Sequence, residues 1–363
     1  MPPLALVPPV ASAPPFALAI DAMGGDNAPD IVLDGLELAA ERHPDARFLL
    51  VGDEARLGVL LARRKRAARA CTIRHAPDQI SADMKPTLAL RHGRNSSMRR
   101  AIDAVAAGEA TGLVSAGNTG ALLALAKIVI KALPEIDRPA LAAIGPSARG
   151  DVVMLDLGAN VACDARNLVE FAIMGDTFAR AVLGLTAPTI GLLNVGSEEL
   201  KGDERVRQAA EVLRDSHLGP NFHGFIEGHD ITAGTVDVVV TDGFTGNVAL
   251  KTGEGALKLM RDLLRQVFTS TVPARLGYLL ARPALDRLRE WMDPRRYNGA
   301  ILLGLNGVVV KSHGGTDGLG FAHAIDVAMD MVTHRFNDRM REGLAQLAVP
   351  APRLAGAAVR TSA

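Results

Sequence analysis

From Phe16 to Lys311, short runs of Val, Ile and Leu alternate with longer amphipathic stretches, and few architectures accept that order. The spacing predicts strands at Phe16–Ile20, Arg47–Val51, Thr72–His75, Gly112–Ser115, Leu141–Ile144, Val152–Leu155, Thr189–Asn194, Gly224–Ile226, Val236–Thr241 and Val308–Lys311. It predicts helices at Ile31–Arg42, Thr87–Ala107, Thr119–Ala132, Ala165–Leu183, Asp203–Ser216, Asn247–Phe268 and Leu319–Leu347. Continuously apolar strands are buried on both faces, and strands separated by helices join in parallel. The predicted class is therefore α/β, an α/β/α sandwich around a mostly parallel sheet. With 363 residues, 48% of them hydrophobic, the chain can bury a core of that size.

The same residues exclude several roles. Forty Lys and Arg balance forty Asp and Glu, so no overall basic charge favours nucleic acid. Cys71 and Cys163 stand in no CxxC pair and read as two reduced thiols. No apolar run approaches the ~20 residues that span a bilayer. Residues 1–15 are Pro-rich and lack a positively charged start, so they read as a disordered extension rather than a signal peptide. The Ala-rich tail, 348–363, reads the same way, leaving 16–347 as the α/β domain. Walker A, GxGxxG and HExxH patterns are all missing, so neither a cofactor nor a metal is expected.

Ligands of parallel sheets gather at the carboxyl ends of the strands. Seven predicted strand exits carry Gly beside polar residues: Asp21–Pro29, Ser115–Ala121, Asp156–Asn160, Asn194–Glu204, Glu227–Asp230, Asp242–Asn247 and Lys311–Gly315. Each alone suits an ordinary turn. On one edge of one sheet they would form a single wide site. Gly-rich turns that open helices bind anions through backbone N–H groups. Ser115, Gly117 and Thr119 have this form, as do Asp242, Gly243, Thr245 and Asn247. Asp21, Gly24, Gly25, Asp26, Asn160, Asn194 and Glu227 complete the candidate binding set. Asp21, Asp26, Asp156 and Asp242 read as loop-orienting carboxylates rather than metal ligands.

Lys311 ends the strand GVVV and can meet an anionic group; His313 follows it. His229, between Glu227 and Asp230, can serve as acid or base. With Asn118 these are the candidate catalytic residues. A GxSxG elbow is missing and Cys163 has no basic neighbour in sequence, so direct attack by an anion fits better than double displacement.

From Leu263 to Tyr297 the chain changes character. Seven Arg stand against three acids, and the single Trp and both Tyr fall here. Leu276, Leu279, Leu280, Arg282 and Trp291 are candidate contacts of a projecting helical hairpin with an anionic membrane or an acidic protein. A helical pair packed on the sheet or on a second subunit accounts for the pattern equally well. Pro273 and Pro283 are expected to break the segment into short pieces.

The motifs, taken in order, resemble those of the bacterial phosphate acyltransferases of phospholipid synthesis, the PlsX family. The resemblance runs through LAIDAMGGDNAPD, RNSSMRRAIDAVAAGEATGLVSAGNTGALLA, VVMLDLGANV, IGLLNVGSEELKGDE, FIEGHDI, DVVVTDGFTGNVALKTGEG and YNGAILLGLNGVVVKSHGG, covering Phe16 to Leu347. Ala162 and Ile301 depart from the family pattern. The resemblance implies acyl transfer from acyl carrier protein to inorganic phosphate, giving an acyl phosphate that a membrane glycerol-3-phosphate acyltransferase consumes. It implies a cytoplasmic homodimer, peripherally bound to membrane, on a fold related to phosphotransacetylases and isocitrate and isopropylmalate dehydrogenases. On that chemistry Asn118, Asn194 and Lys311 are candidate oxyanion donors. His229, His313 or Lys311 would serve the departing thiolate. The competing readings are a phosphotransacetylase using coenzyme A, a decarboxylating dehydrogenase, and a scaffold that brings acyl carrier protein to the membrane.

Overall fold

The computed structural model describes residues 16–291, 293 and 295–347. The predicted extension and tail lie outside the described residues, as does the Trp291 side chain. Among the described residues eleven strands form one sheet. They are β1 (Phe16–Asp21), β2 (Phe48–Gly52), β3 (Cys71–His75), β4 (Ala110–Ser115), β5 (Ala140–Ser147), β6 (Gly150–Leu155), β7 (Ile190–Leu193), β8 (Phe222–Ile226), β9 (Val238–Val240), β10 (Ala300–Leu303) and β11 (Val308–Lys311). The described helices are α1 (Asp30–Arg42), α2 (Glu54–Leu61), α3 (Lys65–Ala70), α4 (Pro86–His92), α5 (Ser97–Ala106), α6 (Thr119–Val129), α7 (Ala165–Val182), α8 (Glu204–Arg214), α9 (Gly228–Ala233), α10 (Gly243–Thr269), α11 (Val272–Trp291), α12 (Gly318–Thr333) and α13 (Phe336–Leu347).

The strands lie in the order β3-β2-β1-β4-β11-β10-β5-β6-β9-β7-β8. The first five are mutually parallel, and so are the last four. Between these blocks β11 pairs with β10, β10 with β5, and β5 with β6, all antiparallel. Three reversals leave the second block pointing opposite to the first. The expectation of seven polar exits on one edge is therefore corrected. The exits of β1, β4 and β11 share one end of the sheet, and those of β6, β7, β8 and β9 share the other.

Side chains alternate across the strands as the pleat requires. Leu18 and Ile20 enter one core layer with Phe171, Phe178, Phe321 and Phe336. Ala19, between them, joins Met98, Ile102 and Leu122 on the opposite face. The chain leaves the first block after α6 and returns to it with β11. Exit and return are tied together, Leu133 N–H to Gly304 O and Asn306 N–H to Lys131 O, both 2.9 Å.

Helix patterns are corrected in three places. The 87–107 run breaks at a 3-10 turn, Gly93–Asn95, because Ser96 Oγ accepts the Arg99 N–H at 3.2 Å and caps α5. The 319–347 run breaks at Arg335, whose φ of +52° ends α12's geometry. The segment beyond Leu263 is not broken into short pieces. Helix α11 runs from Val272 to Trp291 with Pro283 inside it. It folds back on α10 as a projecting hairpin, and only Gly243 and Gly246 of α10 are buried.

Candidate functional site

At one end of the first block three glycine loops meet around a buried lysine. Asp21, the last residue of β1, is 1% exposed. Its Oδ1 accepts the Ser97 hydroxyl at 2.5 Å and its Oδ2 that of Ser115 at 2.6 Å. Burial raises its pKa, against the lowering effect of those hydroxyls. Gly24 fits because a Cβ there would stand 2.5 Å from Asp21 Oδ2 and 2.7 Å from Gly117 N. Gly25 takes φ +110°, and the next residue, Asp26, donates its N–H to Gly314 O at 2.9 Å. The β11 exit joins them through Ser312 N–H to Ser115 O, 2.9 Å.

Lys311 is 9% exposed at this junction. Its Nζ donates to Ala116 O at 3.4 Å and to Ser312 O. Burial lowers its pKa to about 8, while the carboxylates of Asp21 and Asp26 favour the charged form. His313 is held by its own N–H to Asn298 Oδ1, 2.8 Å. Its ring Nδ1 accepts the Gly315 N–H at 3.1 Å. Asn118 Oδ1 caps α6 through the Ala121 N–H at 2.9 Å. Its amide donates to Ala82 O at 2.8 Å and Met84 O at 2.9 Å, fixing the 81–84 loop. Thr119 opens α6 beside it.

The remaining sequence-predicted residues gather at the opposite end of the sheet. Asp156, fully buried, accepts the N–H groups of Leu141, Gly158, Ala159 and Asn160 and the Asn160 amide. Burial raises its pKa despite these donors. Asn160 O in turn accepts the Gly243 N–H at 2.8 Å, and Asp242 caps α10 through the Thr245 N–H at 2.8 Å. Asn247 packs beside Gly158. A cavity of about 230 Å³ lies alongside, lined in part by Leu168, Leu192 and Val240. Asn194, Asp203, Arg205, Thr245 and Cys163 also line it. Burial pushes the Cys163 thiol up to about 11, which removes it as a nucleophile at neutral pH. Asn194 Nδ2 donates to Lys201 O at 3.0 Å. Glu227 and Asp230 form the capping box of α9, and the His229 side chain is 75% exposed there.

Lys311, Asn118 and His313 are thus brought together with Asp21, Gly24, Gly25, Asp26, Ser115, Gly117 and Thr119. His229 is not brought to them, nor are Asn160, Asn194, Glu227, Asp242, Gly243, Thr245 and Asn247. Sequence reasoning missed Ser97, Ser312 and Asn298. Ser97 sits on a helix and only the fold carries it to Asp21. Ser312, fully buried, accepts the Asn298 amide at 2.9 Å. Among the described residues no group of three or more His, Cys, Asp or Glu is placed to hold a metal ion.

A family model described as "Fatty acid synthesis protein" matches residues 16–339. The chain is 73% identical to a phosphate acyltransferase from Granulibacter bethesdensis, covering 92% of this chain and 90% of that one. It is 71% identical to a phosphate acyltransferase from Gluconobacter oxydans, covering 94% and 93%. Among solved structures it resembles a phosphotransacetylase from Streptococcus pyogenes, with a TM-score of 0.58 at 18% identity, covering 88% and 94%. It also resembles a branched-chain phosphotransacylase from Enterococcus faecalis, with a TM-score of 0.53 at 16% identity, covering 87% and 99%. These two likenesses bear on the fold alone.

Proposed function

The chain belongs to the family of fatty acid synthesis proteins and acts as a phosphate acyltransferase with phosphate as a substrate, and from that premise we propose that its acyl donor is an acyl carrier protein thioester. The product is an acyl phosphate destined for phospholipid synthesis. The observation that carries this reading is the buried Lys311 ammonium among three glycine loops at the ends of β1, β4 and β11. A dianion gains most from a cation and backbone donors where water is scarce.

The chemistry follows from the groups present. A phosphate oxygen held by Lys311 and the first N–H groups of α6 attacks the thioester carbonyl. The carbonyl oxygen takes up the negative charge, and the carbon–sulfur bond breaks as it collapses. The acyl–oxygen bond is formed, and the thiolate takes a proton to leave as a thiol. The departing sulfur takes that proton from water and is steadied as it leaves by a hydrogen bond from His313. Its Nδ1 accepts the Gly315 N–H, so a neutral ring carries its hydrogen on Nε2. Asn118 acts as a positioning residue, since its amide hydrogens hold the 81–84 loop.

Purified chain incubated with palmitoyl-acyl carrier protein and phosphate is expected to release the carrier thiol only when phosphate is present. Equal turnover of palmitoyl-coenzyme A would overturn the choice of donor.

The hairpin is the proposed peripheral membrane contact, with its unburied helices also suited to a second copy of the chain. No helix among the described residues is long and apolar enough to cross a membrane. Leu279 is 60% and Leu280 86% exposed, so their burial is available to a partner. Changing both to Gln should weaken binding to anionic vesicles by about tenfold or more in a sedimentation assay. Unchanged partitioning would take the membrane away from this surface.

A further inference from the structure

We propose that the polar face made by α4, the Gly93–Asn95 turn and the start of α5 is the docking surface for the acidic carrier protein that delivers the acyl group. The inference rests on the donor reading above and adds the place where the donor binds. Between Lys85 and Arg100 the chain has five Lys or Arg, one His and no acid, in a protein whose formal charge is zero. Lys85, Arg91 and Arg94 are exposed. Among the described residues none of these three side chains has an ion-pair or hydrogen-bond partner. Arg100 donates to two neutral acceptors, His75 O at 2.6 Å and Asn95 Oδ1 at 3.3 Å, so its charge is not cancelled. Arg99 alone is paired, to Asp103 at 2.7 Å. A concentrated uncompensated charge on a neutral protein recruits a partner of opposite sign.

Position separates this face from the other basic surfaces. The α3 cations precede β3, at the end of the sheet away from Lys311, and Arg64 and Arg66 there are paired to acids of α1. The hairpin mixes its Arg with the exposed Leu276, Leu279 and Leu280, which suits an apolar surface. On the α4 face only Leu88, 44% exposed, is large, apolar and open.

The face is also fastened to the Lys311 site at both ends. The Asn118 amide holds the loop that leads into α4. Pro86, the first residue of α4, packs so closely on α6 that a Cβ on Gly120 would stand 2.9 Å from its Cγ. At the other end Ser97, the first residue of α5, donates to Asp21. The seven residues of α4 span about 10 Å at 1.5 Å per residue. A carrier seated on Arg91 and Arg94 therefore lies one short helix away from the reacting centre.

The test is a charge reversal, Lys85→Glu with Arg91→Glu and Arg94→Glu, in the full chain. With palmitoyl-acyl carrier protein as donor, KM for the carrier should rise roughly tenfold or more. The values of kcat and of KM for phosphate should stay within about twofold, and salt should raise the carrier KM of the parent far more than that of the variant. A milder variant, Arg91→Gln with Arg94→Gln, should show a smaller rise and guards against misfolding of the reversal. An unchanged carrier KM in a parent that uses the carrier would overturn the docking site and leave the donor reading standing. A parent that ignores the carrier thioester would remove both. Reversal that lowers binding to anionic vesicles while sparing the carrier KM would assign the face to a membrane and overturn the proposal.

Discussion

Replacing Lys311 with Met is expected to lower kcat/KM for phosphate by roughly 100- to 1,000-fold, the range for removing one preorganised donor from an acyl-transfer site. Met fills a similar volume, and the buried ammonium it removes is itself costly to desolvate. The variant should therefore fold and still bind the carrier protein, so that the loss is read in the chemistry. Retention of full turnover would move the phosphate site elsewhere, the Arg205 cavity being the next place to look. The pH dependence gives an independent reading. Lys311 has a folded pKa of about 8 against an ordinary 10.5. Activity that needs the ammonium should fall as pH rises through about 8, and Lys311→Arg should carry that limb to higher pH. Stability responds with the opposite sign. Between about 8 and 10.5 the unfolded chain binds the proton and the folded chain has lost it. The Lys311 contribution to stability should therefore rise with pH across that window. Below it both states are charged and the cost of burial is fully present. Urea melts of the parent at pH 7 and 9.5, with Lys311→Met as the reference, measure the difference.

The largest structural effect is expected at Gly246. A Cβ there would stand 1.9 Å from Asp156 O and 2.9 Å from Thr241 Cγ2. Asp156 cannot yield, because its carboxylate anchors four backbone N–H groups and the Asn160 amide. Gly246→Ala must then lift α10 from the ends of β6 and β9. The cost is about 3 kcal/mol or more, a large share of the roughly 5–15 kcal/mol that holds a typical domain together. Gly58 in α2 is the control, with open space where its Cβ would be. Gly58→Ala should stabilise by about 0.5–1 kcal/mol. An unfolding free energy from denaturant titration within about 0.5 kcal/mol of the parent for Gly246→Ala would refute the packing at this junction.

Most strands were legible because Val, Ile and Leu runs between helices have a single plausible use. Val308–Lys311 is found with the bounds the pattern predicts. The sequence hides direction. Ala300–Leu303 is four apolar residues after a Gly, too short to show a period, yet β10 supplies two of the three antiparallel pairings that turn the second block around. Without it, Asp242 and Asn194 read as neighbours of Lys311, and they lie at the other end of the sheet. The loops of β1, β4 and β11 were legible for a local reason: Gly24 and Gly25 are needed where backbone meets backbone. Ser97 was not, because its chemistry depends on a partner 76 residues away in sequence. Asn118 was visible as a polar loop residue, whereas the carbonyls that engage its amide belong to a loop of no evident pattern.

The order in which the ribosome delivers the chain bears on the Lys311 site. Asp21 and Ser115 are made early, but β11 slots between β4 and β10 only after the whole second block exists. At about 5–20 residues per second, Lys311 follows Ser115 by roughly 10–40 s. Through that interval β4 presents an unpaired edge beside a carboxylate that still lacks its cation, and such an edge invites pairing with other nascent chains. The tie between Leu133 and Gly304 then closes just ahead of β11. A second block that has already folded hands the last strand to its slot, so slow or defective folding of that block should appear as aggregation of the first.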